Sequence, residues 1–78
     1  MGRLIPIRQM QVEQEGVVRK ITAKAEMGRR LREMGIIPGV RITVQGRAPL
    51  KDPVAIKVMD SVLTLRNNEA DYVLVEVD

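Results

Sequence analysis

Hydroxyl, carboxylate, amine and guanidinium groups make up the reactive inventory of this chain, and their arrangement limits what they can do. There is no histidine and no cysteine. That removes the commonest general base, the commonest transition-metal ligand and any thiolate. Ser61, Thr22, Thr43 and Thr64 offer hydroxyls, but none stands in a motif that would activate it as a nucleophile. No GxxxxGK[ST] loop is present to cradle a phosphate. The carboxylates of Glu13, Glu15, Glu26, Glu33, Asp52, Asp60, Glu69, Asp71, Glu76 and Asp78 match no calcium-loop spacing. Ferrous iron usually takes imidazole beside carboxylate, and imidazole is missing. The expectation is a protein that is not an enzyme, carries no cofactor and has solvated carboxylates in place of a metal site.

Two groups of residues point to binding instead. Arg29, Arg30 and Arg32 place three guanidinium groups within four positions. On a helix they form a cationic docking face for an acidic partner, or simply a solvated surface. The segment Arg47 to Pro53 (RAPLKDP) carries the second group, Pro49, Leu50, Lys51 and Asp52. Pro49 and Pro53 stiffen it, and a stiff loop loses less entropy on binding. The plainer alternative is that Leu50 plugs one end of the fold.

The net charge of +3 suits nucleic acid, an anionic surface or an acidic protein patch, and chooses among none of them. A nucleic-acid-binding small β-barrel is the alternative reading. It is weakened because single-strand binders stack bases on aromatic side chains, and Tyr72 is the only aromatic. No nucleic acid partner is expected. The apolar runs are too short to span a membrane, so no membrane insertion is expected either, and the reading is a cytoplasmic chain.

The elements that must position these groups are mostly strands. Valine and isoleucine dominate the apolar set. Ile5 to Gln11 reads as a first extended segment, which Pro6 confines to an edge or a strand start. Val12 to Gly16 reads as a turn and Val17 to Thr22 as a strand with room for a bulge. Glu26 to Met34 is the one helical stretch, with Met27, Leu31 and Met34 on one face. Gly35 then fits a left-handed cap, and Pro38-Gly39 a type II turn. Val40 to Gln45 and Val54 to Met59 alternate as strands, with Val40, Ile42, Val44, Val54, Ile56 and Val58 inward. A tight turn at Asp60-Ser61 leads into Val62 to Arg66. Asn67 to Asp71 reads as one helical turn capped by an Asn, and Val73 to Val77 as a closing strand. At 78 residues this is one domain, 1–78, with a thin core and little space for a deep pocket. The fold class is mainly β: a small, partly open SH3-like β-barrel of about five strands with one short α-helix near residues 26–34. An OB-fold is the runner-up.

Three segments resemble the FeoA family (ferrous iron transport protein A). LREMGIIPG, Leu31 to Gly39, is similar to its helix end, Met-Gly, hydrophobic pair and Pro-Gly. RAPLKDPVAIKV, Arg47 to Val58, resembles its Arg-Ala-Pro-Leu-Gly-Asp-Pro loop and following strand, with Lys51 where Gly is usual. SVLTLRNNEADYVLVE, Ser61 to Glu76, resembles its closing hairpin. Two N-terminal positions depart from the pattern, at Val12-Glu13 and at Ala23-Lys24-Ala25. The resemblance implies an SH3-like barrel and an association with ferrous iron, a transition metal ion. It also implies a small accessory role beside FeoB, a membrane permease with a cytosolic G domain. The expected docking residues are Arg29, Arg30 and Arg32 with Pro49, Leu50, Lys51 and Asp52. Self-association through an edge strand is a further expectation.

Overall fold

Alternation of buried and exposed residues sets the architecture. In the computed structural model, which describes residues 2–78, six strands form one antiparallel sheet. They are β1 (Arg3–Pro6), β2 (Glu15–Ile21), β3 (Arg41–Arg47), β4 (Val54–Val58), β5 (Ser61–Leu65) and β6 (Val73–Val77). Their spatial order is β1-β6-β2-β3-β4-β5. Ile42 and Val44 of β3, Val54, Ile56 and Val58 of β4, and Val73, Val75 and Val77 of β6 fill one side. Arg41, Gln45 and Lys57 lie exposed on the other. Burying each such aliphatic side chain contributes about 1.5–3 kcal/mol, which is what holds so small a sheet together.

Two irregularities curl the sheet around this core. The β2–β6 register shifts between Val18 and Lys20, and the β3–β4 register between Val44 and Gly46. A bulge bends its strand and increases the local twist. The curl stops short of closure: among the described residues no strand pairing joins β1 to β5, so two edges remain open. The sheet also has a sixth strand, because Arg3–Pro6 pairs with β6. As Pro6 requires, that strand is an edge.

A helix, α1 (Ala25–Glu33), links β2 to β3, one residue earlier than the expected 26–34, with Met34 as its C-cap. Leu31 is fully buried, and Met27 and Met34 pack half-buried against the core. The end of α1 is a Schellman motif. Gly35, at φ +95°, donates its N–H to the Arg32 carbonyl (2.9 Å), and Ile36 donates to the Leu31 carbonyl (3.0 Å). Ile36 and Leu31 are both buried, the apolar contact that accompanies this cap. The type II turn follows, with Gly39 at φ +97° and the Val40 N–H donating to the Ile37 carbonyl (3.2 Å). Gly39 and Val40 are sewn to Val18 by bonds of 2.7 and 2.8 Å. The orientation of α1 is therefore set by its exit and not by its own length.

Three local expectations are corrected. Ile5 to Gln11 is not one extended segment, because after Pro6 the chain closes a 3-10 turn over Ile7–Gln9 that buries Ile7 and Met10. The β4–β5 hairpin turns at Met59-Asp60, with Ser61 already paired to Val58. Glu15 and Gly16 belong to β2, so the turn that precedes it is confined to Val12-Glu13.

Candidate functional site

The single-turn helix α2 (Asn67–Ala70) lies between the two groups of candidate residues and touches both. Its N-cap is Arg66, not an Asn. The Glu69 carboxylate reaches back, with Oε1 accepting the Arg66 backbone N–H at 2.9 Å. The other oxygen, Oε2, lies 3.4 Å from Nη2 of Arg30 on α1. Glu69 therefore joins α2 to the helix that carries the arginines. On the opposite side, Oδ1 of Asp52 accepts the backbone N–H of Asn67 at 2.9 Å. The Asn67 side-chain amide donates to the Lys51 carbonyl at 3.1 Å. The loop and α1, about twenty residues apart in sequence, are thus mounted on one turn of helix.

The individual residues divide in what they leave free. Arg29 and Arg32 are exposed and, among the described residues, make no ion pair. Arg30 is also exposed but is tied to Glu69. Leu50 is 90% exposed, which excludes its use as a plug for the barrel. Pro49 and Leu50 occupy the centre of a turn closed by the Lys51 N–H on the Ala48 carbonyl (2.7 Å), and the Ala48 N–H bonds the Pro53 carbonyl (3.1 Å). Lys51 sits at φ +66°, a left-handed conformation. Two open grooves flank α2. One is lined by Met27, Arg30, Arg66, Asn68 and Glu69, and the other by Asp52, Pro53, Thr64, Arg66 and Glu69.

This arrangement suits docking. It offers an unshielded apolar side chain on a braced loop, and guanidinium donors on the neighbouring helix for carboxylates or phosphates. Among the described residues no three carboxylates converge to hold a metal ion. Thr22 spends its hydroxyl on the Tyr72 carbonyl (3.3 Å). No helix in the described residues is long and apolar enough to cross a membrane.

Four contributors were not legible as such in the sequence. Glu69 stands three residues after Arg66, the spacing at which a Glu side chain reaches back to the N-cap N–H, and that signal could have found it although Arg66 offers no side-chain acceptor in return. Asn67 bridges the loop and does not cap. Arg66 serves through its backbone. Arg47 turns inward: its Nη2 donates to the carbonyls of Ile7 (3.1 Å), Arg8 (2.8 Å) and Met10 (2.9 Å). No sequence spacing announces a contact of that range.

Comparison with known proteins gives this surface its context. The family profile described as the FeoA domain matches residues 5–77. The chain belongs to the FeoA family. That family is associated with ferrous iron transport. A Porphyromonas gingivalis protein, described as a fusion of Fe(2+) transport protein A with the Fe(2+) transporter FeoB, is 35% identical over 63 residues. The match takes in 81% of this chain and only 8% of the fusion. The solution structure of a FeoA-like protein from Clostridium acetobutylicum is 32% identical with a TM-score of 0.90, covering 99% of this chain and 90% of that one. A FeoA from Stenotrophomonas maltophilia, solved with zinc and described as a prokaryotic SH3 domain protein, is 25% identical with a TM-score of 0.80. Coverage there is 91% of this chain and 88% of the other. The curled sheet is the SH3-like fold of FeoA.

Proposed function

We propose that this FeoA domain is a docking module of ferrous iron uptake. It binds the cytosolic G domain of a FeoB-type permease and modulates the nucleotide cycle or the assembly of that permease. The observation that carries this reading is the common mount: Glu69 holds Arg30 of α1, and Asn67 is held by Asp52 of the loop, on one helical turn. In this reading Arg29, Arg30 and Arg32 of α1 and Pro49 to Asp52 of the loop contact the partner, with Arg30 on the flank of α1 that faces α2 and Arg32 on the other flank. Because the loop is braced before contact, little ordering entropy is lost on binding. The fusion of the two parts in the Porphyromonas gingivalis relative supports the choice of partner.

The test is the affinity of wild type and Leu50→Asp for the purified G domain. Leu50 packs on nothing, so the variant folds normally. A loss of at least about tenfold is expected for removing a desolvated apolar anchor. Unchanged affinity would remove the loop from the interface.

A further inference from the structure

The two open edges of the sheet are not alike. β1 carries Arg3 and Pro6, the kind of residues that blunt an edge against pairing. β5 reads Ser-Val-Leu-Thr-Leu, with no charge and no proline. Val62 is 61% exposed and Thr64 is exposed beside it. Among the described residues no other segment sends a backbone hydrogen bond to either.

The register of the β4–β5 hairpin says which groups face outward. The turn has two central residues, Met59 at φ +55° and Asp60, and it closes on the pair Val58–Ser61. That pair is hydrogen-bonded, so along β5 the backbone groups of Ser61, Leu63 and Leu65 point to β4. Those of Val62 and Thr64 point away from it, to the open edge.

From this geometry we infer that β5 is a self-pairing edge: two copies of this chain join antiparallel through β5 about a two-fold axis centred on Leu63. A second copy satisfies every position at once. Val62 of one chain meets Thr64 of the other, and both carry outward N–H and C=O groups, so each of the two symmetric pairs exchanges two hydrogen bonds. Leu63 faces its own copy as the non-bonded pair. One step beyond the strand at either end, Asp60 stands opposite Arg66 of the second chain. Both side chains are exposed, and neither makes an ion pair among the described residues. The two-fold therefore matches opposite charges at both ends of an uncharged strip, as an isologous interface requires.

The strip is small beside the ~1,200 Å² of a standard interface, so a Kd on the order of 0.1–1 mM is expected. Sedimentation equilibrium of the full chain at low salt, up to millimolar concentration, measures it. Asp60→Arg or Arg66→Asp alone turns two attractive pairs into two repulsive ones and weakens the dimer about tenfold. The double swap, Asp60→Arg with Arg66→Asp, restores it to within about threefold, since the pairs re-form in reverse. Val62→Lys, exposed and harmless to the fold, abolishes association. A chain that stays monomeric at millimolar concentration overturns the inference. So does a dimer indifferent to the single swaps, or one that the double swap fails to restore.

Discussion

Oδ1 of Asp52 accepts the backbone N–H of Asn67 at 2.9 Å, so a loop residue supplies an acceptor to the first turn of a helix fifteen positions away. A helix start leaves its first N–H groups unpaired, and a carboxylate there satisfies one while favouring the positive end of the helix. Asp52→Ala should lower stability by about 1 kcal/mol, the usual worth of such a cap. For a chain of this size that is a Tm drop of about 4–8 °C, read by thermal circular dichroism. Asp52→Asn keeps the oxygen acceptor and should recover most of the loss.

Arg47 ties the 3-10 turn to β3 through the carbonyls of Ile7, Arg8 and Met10. Hydrogen bonds from a charged donor stabilise more than neutral ones, and two of these three are partly buried. Arg47→Met keeps the stem but removes the charged donor. The Ile7 carbonyl retains the Met10 N–H (2.9 Å) and the Arg8 carbonyl can turn to water, so the part-buried Met10 carbonyl bears the loss and a destabilisation of about 1–3 kcal/mol is expected. Urea unfolding measures it, with the midpoint falling and the slope unchanged. Arg47→Lys should restore only part: all three bonds come from the one nitrogen Nη2, which an ammonium can imitate, but the shorter lysine stem brings its nitrogen less far.

Much of the fold was legible because its signals are local. Alternation in Val40 to Gln45 and Val54 to Met59 named the inward residues, and Gly35 and Gly39 marked the two positive-φ glycines. What escaped depends on contacts distant in sequence. Ile7 and Met10 are core residues, but the short turn that buries them follows no 2.0- or 3.6-residue period and is held by a side chain forty residues on. The missing closure between β1 and β5 is likewise a property of the whole curled sheet. The candidate residues were visible by type. Their common mount was not, since Glu69 and Asn67 gain meaning only from the residues they reach.

Glycines at two sheet positions should respond oppositely to a methyl group. A Cβ on Gly16 would collide with the Val75 side chain and lie 2.8 Å from the Glu76 carbonyl oxygen, across the β2–β6 seam. Backbone cannot step aside cheaply, so Gly16→Ala should cost about 1–3 kcal/mol by overpacking. A Cβ on Gly46 meets nothing within 4 Å, and its φ is not in the left-handed region. Gly46→Ala should be neutral or slightly stabilising in the same unfolding assay.

Lys51 stands where the FeoA loop usually has Gly, and its φ of +66° explains the preference. A side chain in the left-handed region costs roughly 1–2 kcal/mol, and glycine's greater unfolded-state entropy offsets about 0.5–1 of that. Lys51→Gly should therefore raise stability by about 0.5 kcal/mol, while Lys51→Ala should not. If Lys51 also contacts the partner, the same Gly variant binds the G domain less well although it is more stable. A structural role alone would not separate the two readouts.

The most direct measurement is calorimetric titration of this chain into the cytosolic G domain of a FeoB-type permease, with GTP analogue, with GDP and without nucleotide. It is repeated with Arg29→Glu combined with Arg32→Glu. Both arginines are exposed and unpaired among the described residues, so the double variant should fold as wild type does. The account predicts saturable binding whose affinity changes with nucleotide. It predicts a loss of about tenfold or more in the variant, from two reversed charges at the interface. Absence of binding in every nucleotide state, or equal affinity for wild type and variant, would contradict it.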